Sequence, residues 1–289
     1  MACLVCEKES FSPLFKKGNL TLVKCLSCGL VQADNPSATF DLEYYDYYHN
    51  YYQNIADLKE DEVYNPIDAT RHIDLLNRLE NYRKNNALLD IGCGIGHLLH
   101  MAKKMNWQAR GIEVAPYAVE ICQRFNIDVD CCDLLSLDLE NDRYDAITMF
   151  GVLEHLTQPK EYLLKVHDIL RKDGIFIVTT LNFNCLTKLL LQKRWSQIDE
   201  EHLFYFTPQT IRLFLKKCNF RIIDFRVKNI TLPELYRLFK DQAQVFGPHQ
   251  MIRKAVEENK FLVHLKDYTN KILNLTGLGE SIECFCQKI

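Results

Sequence analysis

The sequence predicts an α/β protein: a mainly parallel β-sheet with helices on both faces, preceded by a small metal-binding element. Two observations carry this. From Ala87 onward, short apolar runs alternate with helical stretches, the pattern of strands linked by crossover helices and covered on both sides. Ahead of that alternation stand Cys3-x2-Cys6 and Cys25-x2-Cys28, a spacing at which two tight turns aim four thiolates at one ion. With 289 residues, 47% hydrophobic and 25% charged, and only 11 Gly and 8 Pro, the chain is neither disordered nor collagenous.

Residues 1–40 read as a zinc ribbon. Gly29 after the second cysteine pair suits the left-handed position such a knuckle needs, and Glu7 takes that place after the first. Phe11, Leu14, Phe15, Leu20, Leu22 and Val23 flank a Lys17-Gly18-Asn19 turn, the mark of a hairpin. A stretch this short buries too small a core, so a structural zinc on Cys3, Cys6, Cys25 and Cys28 supplies the missing stability. The N-terminus has no secretory pattern, and no run of about 18 apolar residues occurs. The expected location is therefore the cytoplasm, where twelve cysteines are thiols or metal ligands rather than disulfides.

Residues 41–86 form a lead-in. Its first part is dense in Tyr and acidic groups, suited to closing over a ligand or packing on the main domain; Ile73, Leu75, Leu76 and Leu79 then predict a helix from Pro66 to about Lys84. Over 87–289 the reading gives strands at 87–91, 109–114, 144–150, 175–181 and 221–227. Helices fall at 96–106, 117–126, 159–171 and from Thr207-Pro208 onward. A helical insertion at about 230–279, a lid or homodimer contact rather than a membrane surface, precedes a last strand over 281–289. That strand runs antiparallel beside 221–227, with Cys284 and Cys286 on one core-facing side.

The chemistry begins at Leu88-Leu89-Asp90-Ile91-Gly92-Cys93-Gly94-Ile95-Gly96. This glycine-rich turn lets a ligand approach the backbone and a helix N-terminus. It serves any nucleotide-like ligand, and it is not a dinucleotide fingerprint, because His97 stands where G-x-G-x-x-G wants its third glycine. Glu113 ends the next strand, where a carboxylate accepts from both ribose hydroxyls, and Asp133 follows the third strand region.

In this order the motifs resemble the class I S-adenosylmethionine-dependent methyltransferases over residues 66–225, which implies a Rossmann-like seven-stranded fold and S-adenosyl-L-methionine as cofactor. The resemblance implies that Gly92, Cys93, Gly94 and Gly96 line the methionine part and that Asp90 fixes its amino group. By the same comparison Glu113 with Val114 holds the ribose, Asp133 and Leu134 meet the adenine, and Phe150, Gly151, Val152 and His155 form the cofactor and substrate wall.

The cysteine element together with Glu201-His202-Leu203-Phe204-Tyr205-Phe206-Thr207-Pro208 is similar to bacterial methyltransferases of sugars, natural products and surface-polysaccharide precursors. In the sugar C-methyltransferases a Glu-His pair supplies the base, which implies Glu201 and His202 here. Asp199 stands where those enzymes carry a tyrosine, and their additional C-terminal domain has no counterpart. The expected acceptor is a small molecule, with His202 as general base because imidazole titrates near neutrality. Two alternatives are an RNA methyltransferase with a zinc ribbon and a noncatalytic partner-binding module. A net charge of −3, and seven acidic residues against one lysine over 41–65, argue against a nucleic-acid partner; the intact glycine turn and Glu113 argue against the module.

Overall fold

The computed structural model describes residues 1–34, 58–64, 66–230 and 260–289. The Tyr-rich part of the lead-in, residues 41–57, and residues 231–259 of the insertion lie outside them.

The ribbon supplies β1 (Phe11–Lys17), β2 (Leu20–Cys25) and β3 (Val31–Ala33). A short helix α1 (Glu60–Val63) and α2 (Pro66–Leu79) lead into β4 (Ala87–Ile91), α3 (His97–Lys104), β5 (Gln108–Glu113), α4 (Pro116–Arg124) and β6 (Val129–Cys131). Then come β7 (Tyr144–Phe150), α5 (Pro159–Ile169), β8 (Leu170–Leu181), α6 (Leu186–Leu191), β9 (Phe204–Tyr205), α7 (Pro208–Lys217), β10 (Phe220–Lys228), α8 (Lys260–Thr276) and β11 (Ser281–Lys288).

Local chemistry explains most boundaries. Proline opens α4 and α5 at the first helical turn, where its missing N–H leaves no helix bond unmade. Asn106, Asn126 and Asn219 adopt φ of 60°, 55° and 61° just past α3, α4 and α7, the left-handed stop that asparagine tolerates. The reading of a helix through 171 and a strand from 175 needs correction: β8 begins at Leu170. Its register on β7 shifts between Tyr144 and Ala146, and Arg171 turns its guanidinium onto the fully buried Asp145.

Seven strands make one sheet in the order β10-β11-β8-β7-β4-β5-β6. The pairs β4·β5, β4·β7, β5·β6 and β7·β8 are parallel, and β11 is antiparallel, as expected. Every residue of β4 is buried, which a central strand covered on both faces requires. The chain moves outward from β4 to β6 and returns on the other side of β4 as β7, so a topological switch point lies between β4 and β7. Cys284 and Cys286 are fully buried.

By compactness the chain divides into two units. One comprises Pro36–Thr179, Leu215–Asp224 and Cys284–Ile289, with Leu76, Leu79, Leu88, Leu99, Ala118, Ala146 and Ile177 in its core. The other comprises Met1–Asn35, Thr180–Phe214 and Phe225–Glu283. There the ribbon hairpin becomes a four-stranded sheet, β1-β2-β3-β9, because Val31 and Gln32 pair with Tyr205 and Phe204. Trp195, Ile198, Phe183 and Tyr205 pack with Leu20, Leu22 and Val31, and the Lys17 ammonium donates to the carbonyls of Trp195 and Ile198.

Candidate active site

The two cysteine knuckles have the same backbone. The Glu7 amide donates to the Cys3 carbonyl at 2.8 Å and the Gly29 amide to the Cys25 carbonyl at 2.9 Å. Glu7 and Gly29 both have positive φ, 63° and 84°, so Glu7 occupies the left-handed position that glycine fills in the second knuckle. The four thiols converge: Cys3 and Cys28 Sγ are 3.5 Å apart, Cys6 and Cys25 Sγ 3.4 Å, and all four lie within 4.8 Å of one another. Sulfurs bound tetrahedrally at about 2.3 Å sit roughly 3.8 Å apart, so the set fits one zinc ion with no open position. None of the twelve cysteines is in a disulfide.

A cavity of about 390 Å³ opens beyond the C-terminal ends of β4 to β7, where open α/β sheets take ligands. It gathers Gly92, Gly94, Glu113, Val114, Asp133, Leu134, Phe150, Gly151, Val152 and His155 from the sequence reading. Asp90, Cys93 and Gly96 are not among its lining residues. Gly92 has φ +68°, and a Cβ there would stand 2.3 Å from Val152 Cγ2, so only glycine lets the turn and the cavity wall meet. Gly96 is left-handed and packs α3 against Cys122 and Ile127, which makes it a helix-packing residue.

Glu113 organises the turn. Its Oε2 accepts from the Gly94 amide at 2.8 Å, and Oε1 accepts from the amides of Val114 and Ala115 at 2.8 and 3.0 Å. One carboxylate thus ties the glycine turn to the N-terminus of α4. Asp133 accepts from the Leu135 amide at 2.7 Å and from the Tyr162 hydroxyl. Tyr162, which also lines the cavity, is absent from the sequence reading because it sits within the apolar rhythm of α5. Burial pushes its phenol up, and Asp133 pushes the same way, so it remains a donor.

Asp90 is buried at the end of β4 and accepts from Thr148 Oγ1 at 2.6 Å. Burial pushes its carboxyl up to about 7; the Thr148 bond opposes this and the Glu113 charge adds to it. Such a group is poised to lose its proton when a cation arrives.

His202 lies in the second unit, in the link between β8 and β9. Its Nδ1 is 2.8 Å from Asp199 Oδ1 and 2.9 Å from the Gln197 carbonyl. Asp199, read from the sequence only as a departure from a tyrosine, is thus the carboxylate at the imidazole. Glu201 is exposed as a residue; partial desolvation of its carboxyl raises its pKa, Asp199 adds to this, and His202 opposes it.

The family described as a methyltransferase domain matches residues 64–224. The tRNA U34 carboxymethyltransferase of Shewanella amazonensis is 31% identical over 165 residues, 52% of this chain and 48% of that protein. Its namesake from Shewanella frigidimarina is 31% identical over 166 residues, covering 53% and 48%. The chain therefore spans about half the length of the curated relatives it matches. A solved S-adenosylmethionine-dependent methyltransferase from Archaeoglobus fulgidus shares the fold, with a TM-score of 0.54 at 18% identity over 84% of this chain and 100% of that one.

These relatives overturn two expectations. The small-molecule acceptor gives way to a tRNA-modifying relationship, and the exclusion of a nucleic-acid partner falls with it. The physical reason is that a charge sum over a whole chain, or over a segment such as 41–65, does not describe the local fields that meet a polyanion. Among the described residues no helix is long and apolar enough to cross a membrane. The match over 64–224, the seven-stranded sheet and the glycine-lined cavity agree: the chain belongs to the methyltransferase domain family.

Proposed function

We propose that this enzyme modifies tRNA in the cytoplasm, transferring a one-carbon group from S-adenosylmethionine to a base. The observation that carries the reading is the 31% identity to proteins named tRNA U34 carboxymethyltransferase.

Bound S-adenosylmethionine supplies an electrophilic methyl on a sulfonium, whose S–C electron pair returns to sulfur as the acceptor bonds to carbon. The residues of the chain do the positioning. Backbone at Gly92 and Gly94 receives the methionine part and Asp90 provides the counter-charge to its ammonium. Glu113 has one lone pair left for the ribose after its three amide bonds. Asp133, fixed by Tyr162, and Leu134 take the adenine; Phe150, Gly151, Val152 and His155 wall the methyl. Holding the acceptor in line with the methyl supplies much of the acceleration.

Incubating the protein with methyl-labelled S-adenosylmethionine and tRNA from cells lacking the gene, then analysing nucleosides by mass spectrometry, tests this. Label in one nucleoside, heavier by one CH2, is the expected result. Unlabelled tRNA overturns the acceptor.

Glu113→Ala should lower affinity for S-adenosylhomocysteine by about 10- to 150-fold, the equivalent of roughly 1.5–3 kcal/mol for a charge-assisted bond. It should also lower thermal stability, since three amides lose their acceptor. Calorimetric titration matching the parent would remove Glu113 from the cofactor site.

A further inference from the structure

Another cavity, about 460 Å³, opens at the opposite end of the sheet from the glycine turn, at the starts of β4, β5 and β7. Lys103, Arg110 and Arg143 line it against a single carboxylate, Asp128, and Trp107 and Tyr144 add aromatic wall. All of these residues belong to the unit that holds the glycine-lined cavity. Two of them carry buried N–H groups that meet no acceptor among the described residues: Trp107 Nε1 and Arg110 Nε. Trp107 is 5% exposed. Indole and guanidinium only donate, so neither can satisfy the other, and buried donors left in this way call for an acceptor within the cavity.

The cations have charge and donors to spare. Arg110 is paired with Asp130 at 2.5 Å, so the field at the opening comes from Lys103 and Arg143. The Lys103 ammonium gives one hydrogen to the Asn126 carbonyl at 2.7 Å and keeps two. Arg143 stands 3.4 Å from Glu140, both of them exposed, and such a surface pair is weak and readily exchanged for another anion. Lys103 lies in the last turn of α3, where a cation offsets the helix dipole. That explains neither Arg143, which directly precedes β7, nor the two orphan donors. Positive charge combined with unmet N–H groups selects an anion with several acceptor oxygens, and a phosphodiester is one.

We propose that this cavity is a phosphate-binding subsite for the RNA backbone: Lys103 and Arg143 neutralise the phosphate charge and the Trp107 indole donates to a phosphate oxygen. This rests on the reading of tRNA as the acceptor. β5 runs from Gln108, on the wall of this cavity, to Glu113, on the wall of the other, which at ~3.3 Å per residue separates them by about 17 Å. A polynucleotide covers that span with its reacting base at the glycine turn; a mononucleotide does not. The subsite thus grips tRNA away from the chemistry, through contacts that fix its place without reading its sequence.

The first arm of the test measures tRNA binding by the full chain over a range of potassium chloride concentrations. Lys103→Gln and Arg143→Gln remove charge from exposed side chains, and titration with S-adenosylhomocysteine, matching the parent, shows that the fold is kept. Each substitution should reduce the slope of log K against log salt by about 0.7–0.9, the loss of one phosphate contact, and should weaken unrelated tRNA sequences alike. The second arm is nitrogen-15 NMR of the two tryptophan indoles, with Trp107 assigned from Trp107→Phe. Adding tRNA should shift the Trp107 indole signal. A shift with inorganic phosphate and none with tRNA makes this a free-anion site and overturns the proposal, as does no shift with either. A parental salt slope in the double variant overturns the subsite too, and where the parent still labels tRNA the acceptor reading stands. A parent protein that neither binds nor labels tRNA overturns both.

Discussion

Chelating the zinc, or replacing Cys25 by serine, is expected to unfold the ribbon and to abolish turnover while leaving cofactor binding nearly intact. Structural zinc on four thiolates contributes roughly 10–16 kcal/mol of binding free energy that is also folding free energy. That is comparable to the whole ~5–15 kcal/mol by which most domains are stable at all. The loss propagates along a defined path: β3 follows directly from the second knuckle, and its residues Val31 and Gln32 pair with Tyr205 and Phe204 of β9. Tyr205 in turn holds Asp199, and Asp199 holds His202. Among the described residues, those lining the glycine-turn cavity fall between Ile91 and Tyr162, outside the unit that contains the ribbon. Metal analysis, hydrogen exchange over Cys25–Asp34, calorimetric titration with S-adenosylhomocysteine and label transfer should be measured together. Retained amide protection after complete zinc removal would refute the structural role.

The sheet was largely legible because its central strands, such as β4 and β7, are apolar runs of the right length and its helices carry a 3.6-residue rhythm, and both are local properties. The cavity was legible for a related reason: Gly92, Glu113, Asp133 and the 150–155 segment sit at the ends of successive strands, so finding the strands finds the residues that line it. Three features were not legible. The pairing of Phe204 and Tyr205 with β3 joins residues more than 170 positions apart, and nothing in a two-residue apolar pair specifies its distant partner. Tyr162 is indistinguishable from a core tyrosine until its hydroxyl is seen on Asp133. Asp199 looked like a lost tyrosine, and only the ring geometry of His202 shows what the carboxylate does there. The acceptor was misjudged because summed charge stood in for a surface.

Asp90→Asn should move stability and binding in opposite directions, and by amounts that pH controls. In the folded protein the Asp90 carboxyl is pushed up to about 7 by burial, whereas an unfolded chain has it near about 3.9. An acid whose pKa is raised by folding favours the fold fully below about pH 4 and loses that contribution as pH rises through about 7. Three pKa units correspond to about 4 kcal/mol, so at pH 8 the ionised Asp90 holds the free protein about that far below its low-pH contribution. Asparagine keeps an oxygen for the Thr148 hydroxyl and cannot ionise. Asp90→Asn should therefore raise thermal stability at pH 8 by up to that amount and change it little at pH 4. Binding should respond the other way. On the proposed placement of the cofactor's ammonium against Asp90, affinity of the parent for S-adenosylhomocysteine should fall about tenfold per pH unit below 7 with proton release on binding, while Asp90→Asn should bind weakly and without this dependence. Calorimetric titrations in two buffers of different ionisation enthalpy count the released proton. Equal affinity in parent and Asp90→Asn at pH 8 would place the ammonium elsewhere, and an unchanged melting temperature at pH 8 would mean that the buried carboxylate carries no strain to release.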